Sequence, residues 1–157
     1  MDPRTLHAYL KAAKLTPSDL ARRIGVSPQI VSSWIQKDGP AHLPEDDLSA
    51  LSRALGVNAE DLERPLPCFD TDEHNRLHAR YLWDRLYPDL DDFAIGLNHL
   101  EPRAVARLVE VDGLYAAARI LGEAAWDRFT SYKRFLPPAR RRQLETLHAW
   151  RSNQTAA

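Results

Sequence analysis

The sequence is poor in the features that mark several broad classes of protein. It holds one cysteine, Cys68, in 157 residues, so no internal disulfide can form. No run of about 18 apolar residues occurs, which excludes a membrane-spanning helix. Met1 to Lys14 contain no uncharged apolar run ahead of a small-residue cleavage site, and with the lone cysteine this leads to an expected cytoplasmic location. Glycine-rich phosphate loops, GxSxG elbows and HExxH pairs are missing, so no enzyme chemistry and no cofactor are expected. Period-2 alternation is missing too, and the apolar run Ala104 to Val111 fits a helix better than a strand. Net charge is nearly absent: 21 Lys+Arg against 22 Asp+Glu leave −1, which excludes a uniformly basic chain.

What fills the chain is helical spacing punctuated by proline and glycine. The spacing predicts helices over Arg4 to Ala13, Pro17 to Ile24, Pro28 to Gln36, Glu45 to Leu55 and Ala59 to Glu63. Thr16 and Ser27 each precede a proline, and an N-cap followed by proline starts a helix where the missing N–H costs nothing. Gly25 and Gly56 follow as stops. In Pro65-Leu66-Pro67 each proline pushes its predecessor out of the helical region, which marks a boundary. Beyond it, helices are predicted over Asp72 to Leu86, Asp92 to Asn98, Pro102 to Glu110, Gly113 to Leu121, Glu123 to Phe135 and Pro138 to Arg151. Asp70 and Glu73 are spaced as a capping box for the first of these. The expected fold class is all-α. A five-helix domain over 1–64 precedes a proline-containing linker over 65–69, a second helical domain over 70–152 and a frayed tail over 153–157.

Residues 16–37 read TPSDLARRIGVSPQIVSSWIQK. Two short helices that cross closely need a small residue at the crossing, here Ala21, and a turn that a β-carbon resists, here at Gly25. Leu20, Ile24, Val26, Val31 and Trp34 make one apolar patch, and Gln29, Ser32, Ser33 and Gln36 face away from it. That is a helix-turn-helix arrangement, whose second helix enters the DNA major groove. Residues 3–64 resemble the lambda-repressor-like, or XRE, family, with Leu43, Leu48, Leu51, Leu55, Val57 and Leu62 in the trailing helices.

The resemblance implies a sequence-specific DNA-binding transcription regulator whose base-reading positions are Pro28, Gln29, Ser32 and Ser33. Gln29 carries the amide that pairs bidentately with adenine N6 and N7. Thr16 and Ser27, at helix N-termini, are expected at phosphates together with Arg22, Arg23, Gln36 and Lys37. Two positions depart from the family pattern: Pro17 stands where glutamine is frequent, and Pro28 replaces a polar reader. Both lose hydrogen bonds, which shifts weight to DNA shape. A helix-turn-helix used only for packing or protein binding is the alternative.

The near-zero total charge hides opposed blocks. Residues 1–44 carry a net +3 and residues 45–63 a net −5, so positive charge sits on the part expected to face DNA. Further on, seven acids and three arginines lie between Asp70 and Asp92, and ten cations and five acids between Arg103 and Arg151. Lys133, Arg134, Arg140, Arg141 and Arg142 make a basic stretch. It fits a phosphate or partner patch, or, more in keeping with basic runs in general, a solvated helix face partly neutralised by Asp89, Asp91 and Asp92. Apolar residues from Leu82 to Trp150, among them Trp83, Leu86, Tyr115, Ile120, Trp126 and Trp150, are expected in a core, with a dimer or partner interface as the alternative for the tryptophans. His74 and His78 stand i,i+4 near Cys68, Asp70 and Asp72, but no second ligand set follows, so no metal site is expected.

The segments YLWDRL, VARLVEVDGLYAAARILGEAAWDRF and LPPARRRQLETLHAW, over residues 78–150, are similar to a small helical domain of bacterial antitoxin-like proteins. The similarity lies in Leu82-Trp83-Asp84, Leu121-Gly122 and the closing arginine cluster, and it implies a toxin protein partner of the nucleotidyltransferase type. One helix-turn-helix covers too few base pairs for regulatory specificity, so a homodimer on a pseudo-palindromic operator in double-stranded DNA is expected. The expected role is a repressor, and the antitoxin of an autoregulated toxin–antitoxin pair. The alternative is a protein-binding antitoxin or adaptor whose C-terminal domain neutralises a partner, with DNA binding secondary.

Overall fold

Prolines and short polar side chains start the first helices. The computed structural model describes residues 1–36, 39–67 and 74–155, without the side chains of His74, Asn75 and Thr155. Helix α1 spans Pro3–Ala12, and the Asp2 carboxylate caps it by accepting from the Arg4 amide at 2.8 Å. Helices α2 (Pro17–Ile24), α3 (Pro28–Gln36), α4 (Glu45–Leu55) and α5 (Ala59–Glu63) run between the bounds that the spacing predicts. Glu45, Asp46 and Asp47 occupy the first turn of α4, where negative charge complements the helix dipole.

These helices form one compact unit, Met1–Cys68. Helix α2 packs on α3 and α4, and α1 packs on α3 and α5. Leu6, Leu20, Ala21, Val31, Leu51 and Leu62 are fully buried in its core. Leu66, expected in a linker, is tied back to α1 through its amide, which donates to the Thr5 hydroxyl oxygen at 3.3 Å.

The second unit, Phe69–Ala157, has a different logic. Its elements are α6 (His74–Tyr81), α7 (Leu90–Asn98), α8 (Pro102–Asp112), α9 (Leu114–Leu121), α10 (Ala124–Asp127), α11 (Phe129–Tyr132), a 3-10 turn (Lys133–Phe135) and α12 (Pro138–Thr155). Helix α8 is the hub: Ala104 through Val109 are all buried, and α6, α7, α9, α11 and the 3-10 turn pack around it. The α7–α8 crossing is close at Gly96. A β-carbon there would meet the Tyr87 ring at 3.0 Å and the Ala104 β-carbon at 3.2 Å. No strand occurs among the described residues, and the fold is all-α. No described helix is long and apolar enough to cross a membrane.

Several expectations for this unit need correction. The helix predicted through Leu86 ends at Tyr81, Arg85 takes a left-handed φ of 57°, and Arg107 reaches out of α8 to hold the turn. Its guanidinium donates to the Tyr81 carbonyl at 3.1 Å, pairs with the Asp84 carboxylate, and lies 4.7 Å from the Trp83 ring centre. Arg107 is only 7% exposed, so its charge is matched by that carboxylate inside the fold. The single helix predicted over Glu123 to Phe135 is instead three short turns. The Tyr132 hydroxyl donates to the Ala125 carbonyl at 2.6 Å, and the Ser131 hydroxyl to the Arg128 carbonyl at 2.7 Å, side-chain bonds that compete with a continuous helix. Helix α7 starts two residues before the predicted Asp92, because Asp89 caps it by accepting from the Asp92 amide at 3.0 Å. Asn153–Thr155, where fraying was expected, continue α12.

Trp83, Leu86, Tyr115, Ile120 and Trp150 are exposed and not in the core, whereas Trp126 is buried. Trp83 covers Arg107 from outside, and Tyr115 meets the Trp126 ring edge-on with centres 5.4 Å apart. Cys68, Asp70, Asp72 and Glu73 lie outside the described residues, as do the His74 side chain and the proposed Asp70–Glu73 capping box.

Candidate nucleic-acid interface

Helix α3 is amphipathic and is presented by α2. Val31 is fully buried and Trp34 nearly so, while Pro28, Gln29, Ser33 and Gln36 are exposed and Ser32 is half-buried. Gln29, Ser33 and Gln36 follow i,i+4,i+7 spacing, which lines them along one outer face of the helix. The α2–α3 corner is made by Gly25, whose φ of 77° lies in the left-handed region, and its amide closes α2 on the Ala21 carbonyl. Ala21 is fully buried beside Leu20, which lets α3 cross close to α2.

The expected phosphate-facing residues divide by geometry. Thr16 works as a helix cap: its hydroxyl accepts from the Asp19 amide at 3.1 Å and donates to the Asp19 carboxylate at 2.6 Å. The hydroxyl's bond to the carboxylate, with that of the Thr16 amide at 3.2 Å, holds the Asp19 carboxyl below the usual carboxylate range. The first turn of α2 therefore already carries a carboxylate of its own. Arg22 extends into solvent near Asp19 at 3.4 Å, whereas Arg23 turns the other way and donates to the Ala54 carbonyl at the end of α4. Together with Ile24, Ala50 and Arg53 it lines a shallow cleft between α2 and α4. The Ser27 side-chain oxygen accepts from the Ile30 amide at 3.4 Å, so it caps α3. Lys37 lies outside the described residues.

The basic stretch of the second unit is partly committed. Lys133 pairs with Glu145 at 2.9 Å, a bond that holds the Glu145 carboxyl low, and Arg134 lies against the Phe135 ring. Arg140 packs its tip against Gly113, while Arg141 stands in the first turn of α12 and Arg142 at the start of the second. The stretch is thus not one open surface.

One outward residue escaped the sequence reading. Ile30 is 43% exposed on α3 although it is aliphatic. Spacing alone did not show it: four residues before Trp34 and three before Ser33, it falls at the border between the buried and the outer side of the helix.

Residues 6–62 match a family model described as helix-turn-helix. The first unit is a helix-turn-helix domain of the lambda-repressor-like type. No curated protein and no solved structure matches the chain. The matched span runs from within α1 to within α5, so it takes in all of α2 to α4, with α2 and α3 as the helix-turn-helix pair. The helix-turn-helix family is one of DNA-binding regulators rather than enzymes, and the domain gives this chain a DNA-binding regulatory module.

Proposed function

We propose that the chain is a transcriptional repressor that binds a pseudo-palindromic operator as a homodimer and serves as the autoregulating antitoxin of a toxin protein. The observation that carries the DNA half is the outer face of α3, where Gln29, Ser33 and Gln36 stand in line opposite the buried Val31 and Trp34. In this reading Gln29 pairs with adenine, and Pro28, Ser32 and Ser33 meet neighbouring base edges. The Ser33 hydroxyl donates to the Ile30 carbonyl at 2.7 Å, so toward DNA it acts as an acceptor. Arg22, Ser27, Gln36 and Lys37 take phosphates on the flanks, and Thr16 serves indirectly by fixing the start of α2. Arg23 contributes charge from the side of α4. Binding of the full chain to its own promoter region, titrated against salt, tests the reading. A steep fall in affinity with salt and a footprint of two half-sites about 10 base pairs apart, or a multiple of that, support it. Absence of salt-dependent binding to that DNA removes it.

The second reading, a protein-binding antitoxin with DNA binding secondary, is favoured by one observation. Trp83, Tyr115 and Trp150 are 66%, 60% and 55% exposed, and exposed aromatics of this size suit a partner surface. Full-length protein with Trp83→Ala that loses protection against an adjacent toxin, yet still binds DNA, would support it.

A further inference from the structure

We propose that Ile30 is a specificity-determining residue that reads the 5-methyl group of thymine in the major groove, an inference that rests on the DNA-binding reading above. Ile30 stands out on α3 because it is 43% exposed, while Gln29, Ser33 and Gln36 along the outer face are polar. It lies in the first turn of the helix, one turn before both the exposed Ser33 and the buried Trp34, at the border between the outer and the buried face.

Its backbone is fixed from both sides. The Ile30 amide donates to the Ser27 carbonyl at 3.1 Å and to the Ser27 hydroxyl oxygen at 3.4 Å, and its carbonyl accepts from the Ser33 hydroxyl at 2.7 Å. A β-branched side chain in a helix keeps one dominant χ1 rotamer, so little freedom is left to lose on binding. Ile30 is therefore a rigid apolar knob.

The major groove offers such a knob few apolar partners. Guanine, adenine and unmodified cytosine present hydrogen-bonding atoms there, which an isoleucine would strip of water without replacement, whereas thymine presents its C5-methyl. The same methyl occurs on 5-methylcytosine, so the chemistry recognised is a 5-methylpyrimidine edge, and thymine is the assigned source.

The test uses the full chain and a random-sequence duplex library, from which bound DNA is selected. In the selected half-site each thymine is replaced singly by deoxyuridine, which removes only the methyl group. The expected result is one thymine per half-site whose replacement weakens binding about fourfold, the effect of burying one methyl. Ile30→Ala abolishes that difference between thymine and deoxyuridine, and Ile30→Val keeps most of it. Enrichment of a sequence with no methyl-sensitive thymine overturns the proposal while leaving DNA binding intact. So does a thymine–deoxyuridine difference that Ile30→Ala leaves unchanged. A gain seen only on 5-methylcytosine, and lost in Ile30→Ala, overturns thymine as the source. No enrichment at all removes both this proposal and the DNA-binding reading.

Discussion

The two units of this chain end their helices by different means. In Met1–Cys68 the boundaries are written in neighbouring residues: Asp2, Thr16 and Ser27 cap, prolines open, and Gly25 and Gly56 close in the left-handed region. In Phe69–Ala157 local signals act as well, Asp89 capping α7 and Pro102 opening α8, but one end has a partner distant in sequence: Arg107 of α8 meets the end of α6 twenty-six residues upstream of itself, at Tyr81. Local signals survive any tertiary arrangement. Long-range ones exist only once the core has formed, so they are invisible to spacing alone.

The largest expected effect breaks the long-range side of that contrast. Arg107→Met leaves the Tyr81 carbonyl and the Asp84 carboxylate without their guanidinium. The expected cost is about 3 kcal/mol, low in the range for a buried pair because Asp84 keeps some contact with solvent. Urea unfolding followed by tryptophan fluorescence reads it, since Trp83 lies over Arg107. A loss below about 1 kcal/mol, no more than a neutral hydrogen bond contributes, would mean that the 82–86 turn is closed by local signals after all.

A smaller effect sharpens the local side. Thr16→Ala removes the α2 cap and is expected to cost about 1 kcal/mol. It also changes the acid limb of stability. The Asp19 carboxyl lies below its ordinary value in the folded chain, first through the Thr16 hydroxyl and then through the Thr16 amide. Such a group adds stability that is complete above the unfolded value of about 3.9 and is lost as pH falls through the folded one. Without the Thr16 hydroxyl, this part of the decline below about pH 4 should flatten in an acid titration followed by circular dichroism. An unchanged acid limb would show that the Thr16–Asp19 bond is not maintained in solution.

Legibility followed the same division. Bounds of α2 to α5 matched the spacing, since caps, prolines and glycines of the first unit act within a few residues. Of the expected outward set Gln29, Ser32, Ser33 and Gln36, three are exposed, because they lie opposite Val31 and Trp34, whereas Ser32 is half-buried. Arg23 was not: nothing in its neighbours says that it reaches the Ala54 carbonyl of α4. Nor was the break between α10 and α11, which the Tyr132–Ala125 bond accompanies. Aromatic spacing placed Trp83 and Trp150 inside, yet helical periodicity tells one face from another and not which face is covered.

The central claim is that the outer face of α3 reads bases, and Gln29 tests it most directly. Duplexes selected from a random library by the full chain should share a half-site, and Gln29→Ala should relax preference at one position of it by about 1–3 kcal/mol while leaving the other positions intact. A uniform loss across all positions, or no change at any, would contradict base readout by this helix face.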